Sequence, residues 1–287
     1  MAWRAVWWVS LAVVLAEALF IVIAGAGNDA HAYYSADLAA PYVHGIAKTP
    51  DAYLYSPAFI QALAPFRLLP FGAFWLLWVA MEVGILVWLT GPVIAAVLLL
   101  PIPLSPVFTE VWYGNITMLL ALVLVFGLRY PALWSFMLLT KVTPGVGLLW
   151  FVARGEWRKL IVALVVTGAI VAVSVVVAPH LWTEWADVLT TNATRQPADS
   201  AVRLPPLAWR LAIGSVIVVV GARLNDPRFL PPAVILALPV FWFQSMSLLV
   251  VWVWQLRNRA LERRNLEGGS TRGLVDNVDV AGSGAGG

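Results

Sequence analysis

Residues 28–57 read NDAHAYYSADLAAPYVHGIAKTPDAYLYSP, and this polar stretch interrupts a chain that is otherwise rich in hydrocarbon side chains. It contains three of the fifteen acidic residues, two of the three histidines and five of the seven tyrosines. Polar side chains that require water have few other places to lie. The composition of the whole chain shows whether this stretch belongs to a soluble protein or to a membrane protein.

The composition of the chain excludes a soluble globular protein. Hydrophobic residues make up 61% and charged residues 11%, whereas soluble domains have about 45–50% and about 25%. A membrane helix needs about 20 apolar residues, so the 287 residues predict an all-α, polytopic integral membrane protein with about eight to ten membrane helices. The net charge of +3 comes from basic residues that flank apolar runs, so nucleic acid is not an expected partner.

The basic residues predict the topology. The first apolar run, Ala5–Ala26, is about 33 Å long as a helix, longer than the apolar core of a signal peptide, and is predicted to be a retained membrane helix. The positive-inside rule then places both termini in the cytoplasm and residues 28–57 outside. The clusters behind this assignment are Arg4, Arg154/Arg158/Lys159 and Arg257/Arg259/Arg263/Arg264.

The chain is predicted to form one membrane domain, residues 1–261, followed by a disordered, glycine-rich tail, residues 262–287, which is also compatible with residues added for expression. Three outer loops are predicted at residues 27–70, 103–115 and 179–206. Within the first loop, Ala58–Leu69 is too short to span and is predicted to lie along the outer interface.

Two apolar runs predict broken helices. Pro131–Ala153 is flanked by Arg129 and Arg154, so both ends are expected on the cytoplasmic side, with a break near Lys141. A ten-residue helix rises about 15 Å, which places Lys141 near mid-membrane. Phe229–Trp254, broken at Pro239, is the second candidate of this kind.

Asp29 is the first candidate for chemistry, because it directly follows the first helix beside His31, Tyr33 and Tyr34. A partly buried carboxylate can deprotonate a hydroxyl group. An interfacial loop with a helix-capping acid and a belt of tyrosines is an equally good interpretation.

Two further ionisable groups lie in or near apolar sequence. An ionisable residue such as Lys141 at mid-membrane indicates a functional site. An ion pair with Glu17 or Glu82 is the other interpretation, and the two are compatible. Glu110 is a second candidate acid, although a loop carboxylate is the simpler reading. The three histidines do not have the spacing of a metal site, so no metal is expected.

Several short motifs occur in a characteristic order. They are Asp29-x-His31-x-Tyr33-Tyr34, Tyr53-Leu54-Tyr55-Ser56-Pro57, Leu69-Pro70, Gly114-Asn115, Lys141-x-Thr143-Pro144 and Arg154-x-x-x-Arg158. Together they resemble the GT-C superfamily of polyprenol-phosphate-sugar-dependent glycosyltransferases. The similar branch is bacterial, family 87-like, and includes the phosphatidylinositol-mannoside mannosyltransferases.

The resemblance implies an inverting transferase in the bacterial plasma membrane, with its active site facing the exterior. It would move a mannose-like hexose or a pentose from a polyprenyl-phosphate carrier to a lipid or glycan acceptor, without a nucleotide or a cofactor. Asp29 matches the position of the catalytic base, with Glu110 as the second acid. The predicted substrate- and phosphate-binding residues are His31, Tyr33, Tyr34, Tyr55, Asn115, Lys141 and Arg203.

Two alternatives stay open. The short chain and the Gly114-Asn115 pair, where the family usually has Gly-Gln, favour an inactive relative that binds polyprenyl lipid or scaffolds a partner. Broken helices and ionisable groups at membrane depth favour a flippase or transporter, but no internal repeat supports it.

Overall fold

A computed structural model describes residues 2–47, 49, 51–102, 105–194 and 204–262. These residues form helices and no strand. The α-helices are α1 Ala2–Ala24, α2 Asn28–Ser35, α3 Pro57–Leu63, α4 Phe71–Thr90, α5 Pro92–Leu98, α6 Pro106–Tyr113, α7 Thr117–Phe126, α8 Trp134–Thr140, α9 Leu149–Ala153, α10 Trp157–Val177, α11 Pro179–Thr194, α12 Leu207–Arg223, α13 Leu230–Ala237 and α14, residues 250–262. Short 3₁₀ helices occupy Ala64–Leu68, Pro131–Leu133, Thr143–Leu148, Pro227–Phe229 and Phe243–Leu249.

Within the described residues, three helices, α1, α4 and α10, are long and apolar enough to cross a membrane. The pair α6 and α7, bent by 115°, meets the same test of length and composition when the two helices are taken as one broken span. Most side chains of α1 and α10 are exposed although they are apolar, which is the expected state of a helix that faces lipid. The predicted all-α, polytopic membrane fold is confirmed. The prediction of eight to ten membrane helices counted broken helices as well. Among the described residues three to four elements are long enough to span a membrane, and the other helices are shorter.

The basic clusters of the described chain gather at one end of the molecule, which we call the basic end. Arg257 donates to the carbonyl oxygen of Trp88 at the end of α4, at 3.0 Å. Arg154, which precedes α10, donates to Asn225 after α12, at 2.8 Å. Asp226, the next residue, pairs with Arg259 of α14 at 3.5 Å. The basic clusters were predicted to share one side, and those described do; which side of the membrane that is stays a prediction.

The run 131–153 is broken at Lys141, as predicted. Helix α8 ends at Thr140, and Lys141 has extended backbone before the next 3₁₀ turn. The run starts near Phe126, whose ring stacks on Trp88, and it returns to Arg154. Both of its ends therefore lie at the basic end, which is the geometry of a re-entrant pair.

The two halves of this run pack directly on each other. An alanine methyl at Gly147 would lie 2.1 Å from Cη2 of Trp134, which is fully buried. Gly147→Ala should therefore lower the free energy of unfolding by about 1–3 kcal/mol, the usual cost of overpacking, as measured by denaturant unfolding in detergent. Gly168→Ala in α10, where no atom lies within 4 Å of the added carbon, should be neutral. Equal losses in both variants would contradict the packing of the two halves.

The second broken run is confirmed between α13 and the 3₁₀ helix Phe243–Leu249. Here the buried guanidinium of Arg210 donates to four carbonyl groups, those of Pro205, Leu236, Leu238 and Pro239. Irregular backbone at membrane depth requires such partners, and Arg210 supplies them.

The predicted loops contain more structure than expected. Residues 179–206 were predicted to be a loop, but α11 forms there because its apolar side chains, including Leu181 and Trp185, pack on the first loop. Residues 27–70 and 103–115 contain α2, α3 and α6. Ala58–Leu69 was predicted to lie along the interface; instead α3 is mostly buried and only the following turn is exposed. The predicted tail lies outside the described residues except for Glu262.

Candidate active site

Helix α2 places Asp29 at the end of α1 that lies farthest from the basic end. The 23 residues of α1 span about 35 Å. Gly27 then turns the chain in the left-handed region, at φ 54°, and its N–H donates to the carbonyl oxygen of Trp112 at 2.9 Å. Asp29 follows in the first turn of α2, where the helix dipole favours a carboxylate.

A second turn brings Asn115 to Asp29. Gly114 ends α6 with a left-handed backbone, at φ 69°, and a β-carbon there would lie 2.7 Å from Cβ of Ala30 and from the ring of Trp75. Only glycine permits this approach of the α6–α7 turn to α2. Asn115 Nδ2 then donates to Asp29 Oδ2 at 2.6 Å.

Asn115 also connects Asp29 with Lys141. Its Oδ1 accepts from the N–H of Ile116 at 2.7 Å and from Lys141 Nζ at 3.4 Å. The carboxylates that act electrostatically on Lys141 are Glu110 and Asp29. The predicted ion pair with Glu17 or Glu82 is not found in the described part of the chain.

The surroundings of Asp29 have opposing effects on its acidity. Burial raises the pKa of Asp29 above that of an ordinary aspartate, because a charge is poorly solvated there. The hydrogen bond from Asn115 and the positive charge of Lys141 each lower the pKa of Asp29, but burial is the largest effect. The carboxylate is thus a stronger base than an exposed aspartate.

Glu110 lies in the same cluster but is held differently. Its side chain has no exposed surface, and Oε1 accepts from the backbone N–H of Thr117 at 2.7 Å. That bond satisfies a free amide at the start of α7. Oε2 is buried and has no hydrogen-bond partner in the described structure. Glu110 therefore stabilises the turn that carries Asn115, and its predicted role as a second acid stays a prediction.

Tyr33 and Tyr55 form an aromatic wall beside Asp29. Their hydroxyl groups are 2.9 Å apart, and both rings pack edge-on or tilted against Phe59. Tyr34 points elsewhere, because its hydroxyl donates to the carbonyl oxygen of Leu69 at 2.8 Å. Of the three predicted tyrosines, Tyr33 and Tyr55 lie together and Tyr34 is apart.

His31 faces away from Asp29. Its Nδ1 lies 2.6 Å from Oδ1 of Asp51, and both side chains are partly exposed. His31 was predicted to bind substrate or phosphate; its described partner is Asp51, and the binding role stays a prediction. Arg203 lies outside the described residues.

Sequence reasoning did not include Glu82 among the site residues. This glutamate of α4 is fully buried, and the carboxyl groups of Glu110 and Asp29 lie close enough to act on it electrostatically. Its place within an apolar span was the signal that could have identified it.

No group of three or more His, Asp or Glu residues is arranged to hold a metal ion within the described ranges; the expectation that no metal is needed stays a prediction.

Comparison with known proteins gives one result. The model of glycosyltransferase family 87 matches residues 53–274, more than half of the chain. No curated protein and no solved structure matches significantly. The matched range contains Asn115 and Lys141, whereas Asp29 precedes it and is joined to it through the hydrogen bond with Asn115. The chain therefore belongs to glycosyltransferase family 87 and is a membrane glycosyltransferase.

Proposed function

We propose that the protein is an inverting glycosyltransferase that moves a sugar, mannose-like or a pentose, from a polyprenyl-phosphate carrier to a lipid or glycan acceptor. The observation that carries this proposal is the line of contacts Asp29–Asn115–Lys141. The carboxyl group of Asp29 and the ammonium group of Lys141 lie on either side of the buried amide of Asn115, and the proposal assigns them the roles of base and cation. These are the two groups that the transfer requires.

The reaction needs little more from the protein. The acceptor hydroxyl gives its proton to Asp29, and its oxygen forms a bond to C1 of the sugar. The bond between C1 and the phosphate oxygen breaks with inversion, and the electron pair leaves with the polyprenyl phosphate. The ammonium group of Lys141 is placed to stabilise negative charge that develops on that phosphate. Arg203 is proposed as a second phosphate-binding residue.

Exposure supports this division of roles. Asp29 and Lys141 are partly exposed, whereas Glu110 and Asn115 are buried. A substrate can reach the first pair, so Asp29 is a better candidate base than Glu110. The site also lies at the opposite end of α1 from the basic end, and we propose that it faces the exterior of the bacterial plasma membrane.

A transfer assay tests the reaction class. Purified protein in detergent is incubated with radiolabelled sugars carried on polyprenyl phosphate or on a nucleotide, together with membrane lipid extract. We expect labelled product from a lipid-linked donor only. Transfer from a nucleotide sugar would contradict the donor class. Lipid binding without product would favour an inactive relative, and movement of the donor across vesicles without chemistry would favour a flippase.

The acidity of Asp29 predicts a pH dependence. The base must be ionised, so kcat/KM should fall as the pH drops through the pKa of Asp29, which burial places above that of an ordinary aspartate. Asn115→Leu removes a bond that lowers this pKa, so the acid limb of the kcat/KM profile should move to higher pH. Gln61→Leu removes an amide that donates to Ser174 instead and should leave the limb in place. An unchanged limb in Asn115→Leu would argue against Asp29 as the base.

A further inference from the structure

A cavity of about 330 Å³ lies at the basic end, far from Asp29. Three tryptophans from three helices form its walls, and Arg257 and Asn258 of α14 form its polar edge. The tryptophans are Trp7, Trp88 and Trp254. Tryptophan beside a cation is the usual composition at the boundary between lipid and water.

An apolar trough of about 500 Å³ adjoins this cavity. Its lining is Ala80, Met81, Gly84, Ile85, Trp88, Leu122 and Phe126. Trp88 lines both spaces, and its ring lies 5.4 Å from Phe126 of the trough and 6.3 Å from Trp254 of the cavity. The trough therefore continues from a polar edge along the surface of α4.

Arg257 has bonding capacity left for a ligand. One N–H donates to the carbonyl oxygen of Trp88, which leaves other donors of the guanidinium free of that bond. It forms no ion pair with a carboxylate in the described part of the chain. Arg259, two residues later, is instead paired with Asp226.

We propose that this cavity and trough form a binding site for an anionic phospholipid. The phosphate of the head group would bind Arg257, with Asn258 as a second polar contact, and one acyl chain would lie in the trough. The occupant is anionic because the polar edge is cationic and the surrounding basic end adds further positive charge. The site is independent of the transfer reaction.

Two pairs of variants of the full-length protein test the site. Arg257→Gln removes the proposed head-group contact, and Arg259→Gln removes the same charge outside the cavity, where Asp226 keeps Arg228 as a partner. Gly84→Phe fills the trough, since no atom lies within 4 Å of a β-carbon there. Gly168→Phe is its control in α10, where the surroundings are equally open.

The probes are phosphatidylglycerol and phosphatidylcholine with identical acyl chains, titrated in detergent and followed by native mass spectrometry and by the shift in unfolding temperature. We expect phosphatidylglycerol to bind more tightly. Arg257→Gln should weaken its binding about five-fold and leave phosphatidylcholine unchanged, whereas Gly84→Phe should weaken both. The two control variants should bind as the wild type does.

Three results would overturn the proposal. Equal affinity for the two lipids would show that no anionic head group is recognised. Equal weakening by Arg257→Gln and Arg259→Gln would indicate attraction to the whole basic end and no defined site. Unchanged binding in Gly84→Phe, with unchanged unfolding temperature, would show that no acyl chain occupies the trough.

Discussion

Asp29→Asn should reduce sugar transfer by about 10²–10⁴-fold, the usual contribution of a general base. The amide oxygen of the new residue can still accept the hydrogen bond that Asn115 donates, so the contact between α2 and the α6–α7 turn is kept. What is lost is the ability to take a proton from the acceptor hydroxyl. The loss should therefore appear in kcat, with the KM of the donor little changed, as measured in the transfer assay.

The control for this variant lies in the same polar stretch. Asp37 is exposed, and its Oδ1 accepts from the N–H of Ala39 at 2.9 Å. Asp37→Asn removes the same charge and should transfer sugar as the wild type does. If Asp29→Asn keeps a tenth or more of the wild-type rate, the base is another residue, and Glu110 is the next to be tested.

The sequence predicts the path of the chain well where physical constraints are local. An unbroken apolar run of twenty residues has few alternatives to a membrane helix, so α4 and α10 were expected. The proline and glycine that follow Lys141 interrupt helical hydrogen bonding, so the break there was expected as well. Helix α11 was not predicted, because it buries Trp185 against the backbone of the first loop, and that contact depends on residues 131 positions away.

In the candidate site, too, local sequence identifies the residues, whereas tertiary contacts decide how they are connected. Asp29 and Lys141 were identified from local sequence, as ionisable groups beside or within apolar runs, and Asn115 was identified from the family resemblance of the Gly114-Asn115 motif. Their connection was not, because Asn115 lies 86 residues from Asp29 and 26 from Lys141. The contact of His31 with Asp51 is also tertiary, and it gives His31 a partner that the pattern of the motif does not reveal.

Lys141→Met should lower kcat/KM for the lipid-linked donor by about 10²–10³-fold, the usual effect of removing one group that stabilises developing negative charge. It should also move the acid limb of the kcat/KM profile to higher pH. The charge of Lys141 lowers the pKa of Asp29, so without that charge Asp29 is protonated at a higher pH. The full pH profiles of both forms measure the two effects together.

Lys141→Arg separates charge from position. Arginine keeps the positive charge, so the acid limb should stay near that of the wild type even if the rate falls because the new side chain is longer. If Lys141→Met does not fold, Lys141→Arg still tests the argument through its pH profile. A shifted limb in Lys141→Arg, or an unshifted limb in a folded Lys141→Met, would show that Lys141 does not act on Asp29. A positive charge placed by the break in the run 131–153 would then serve only to hold the phosphate or the fold.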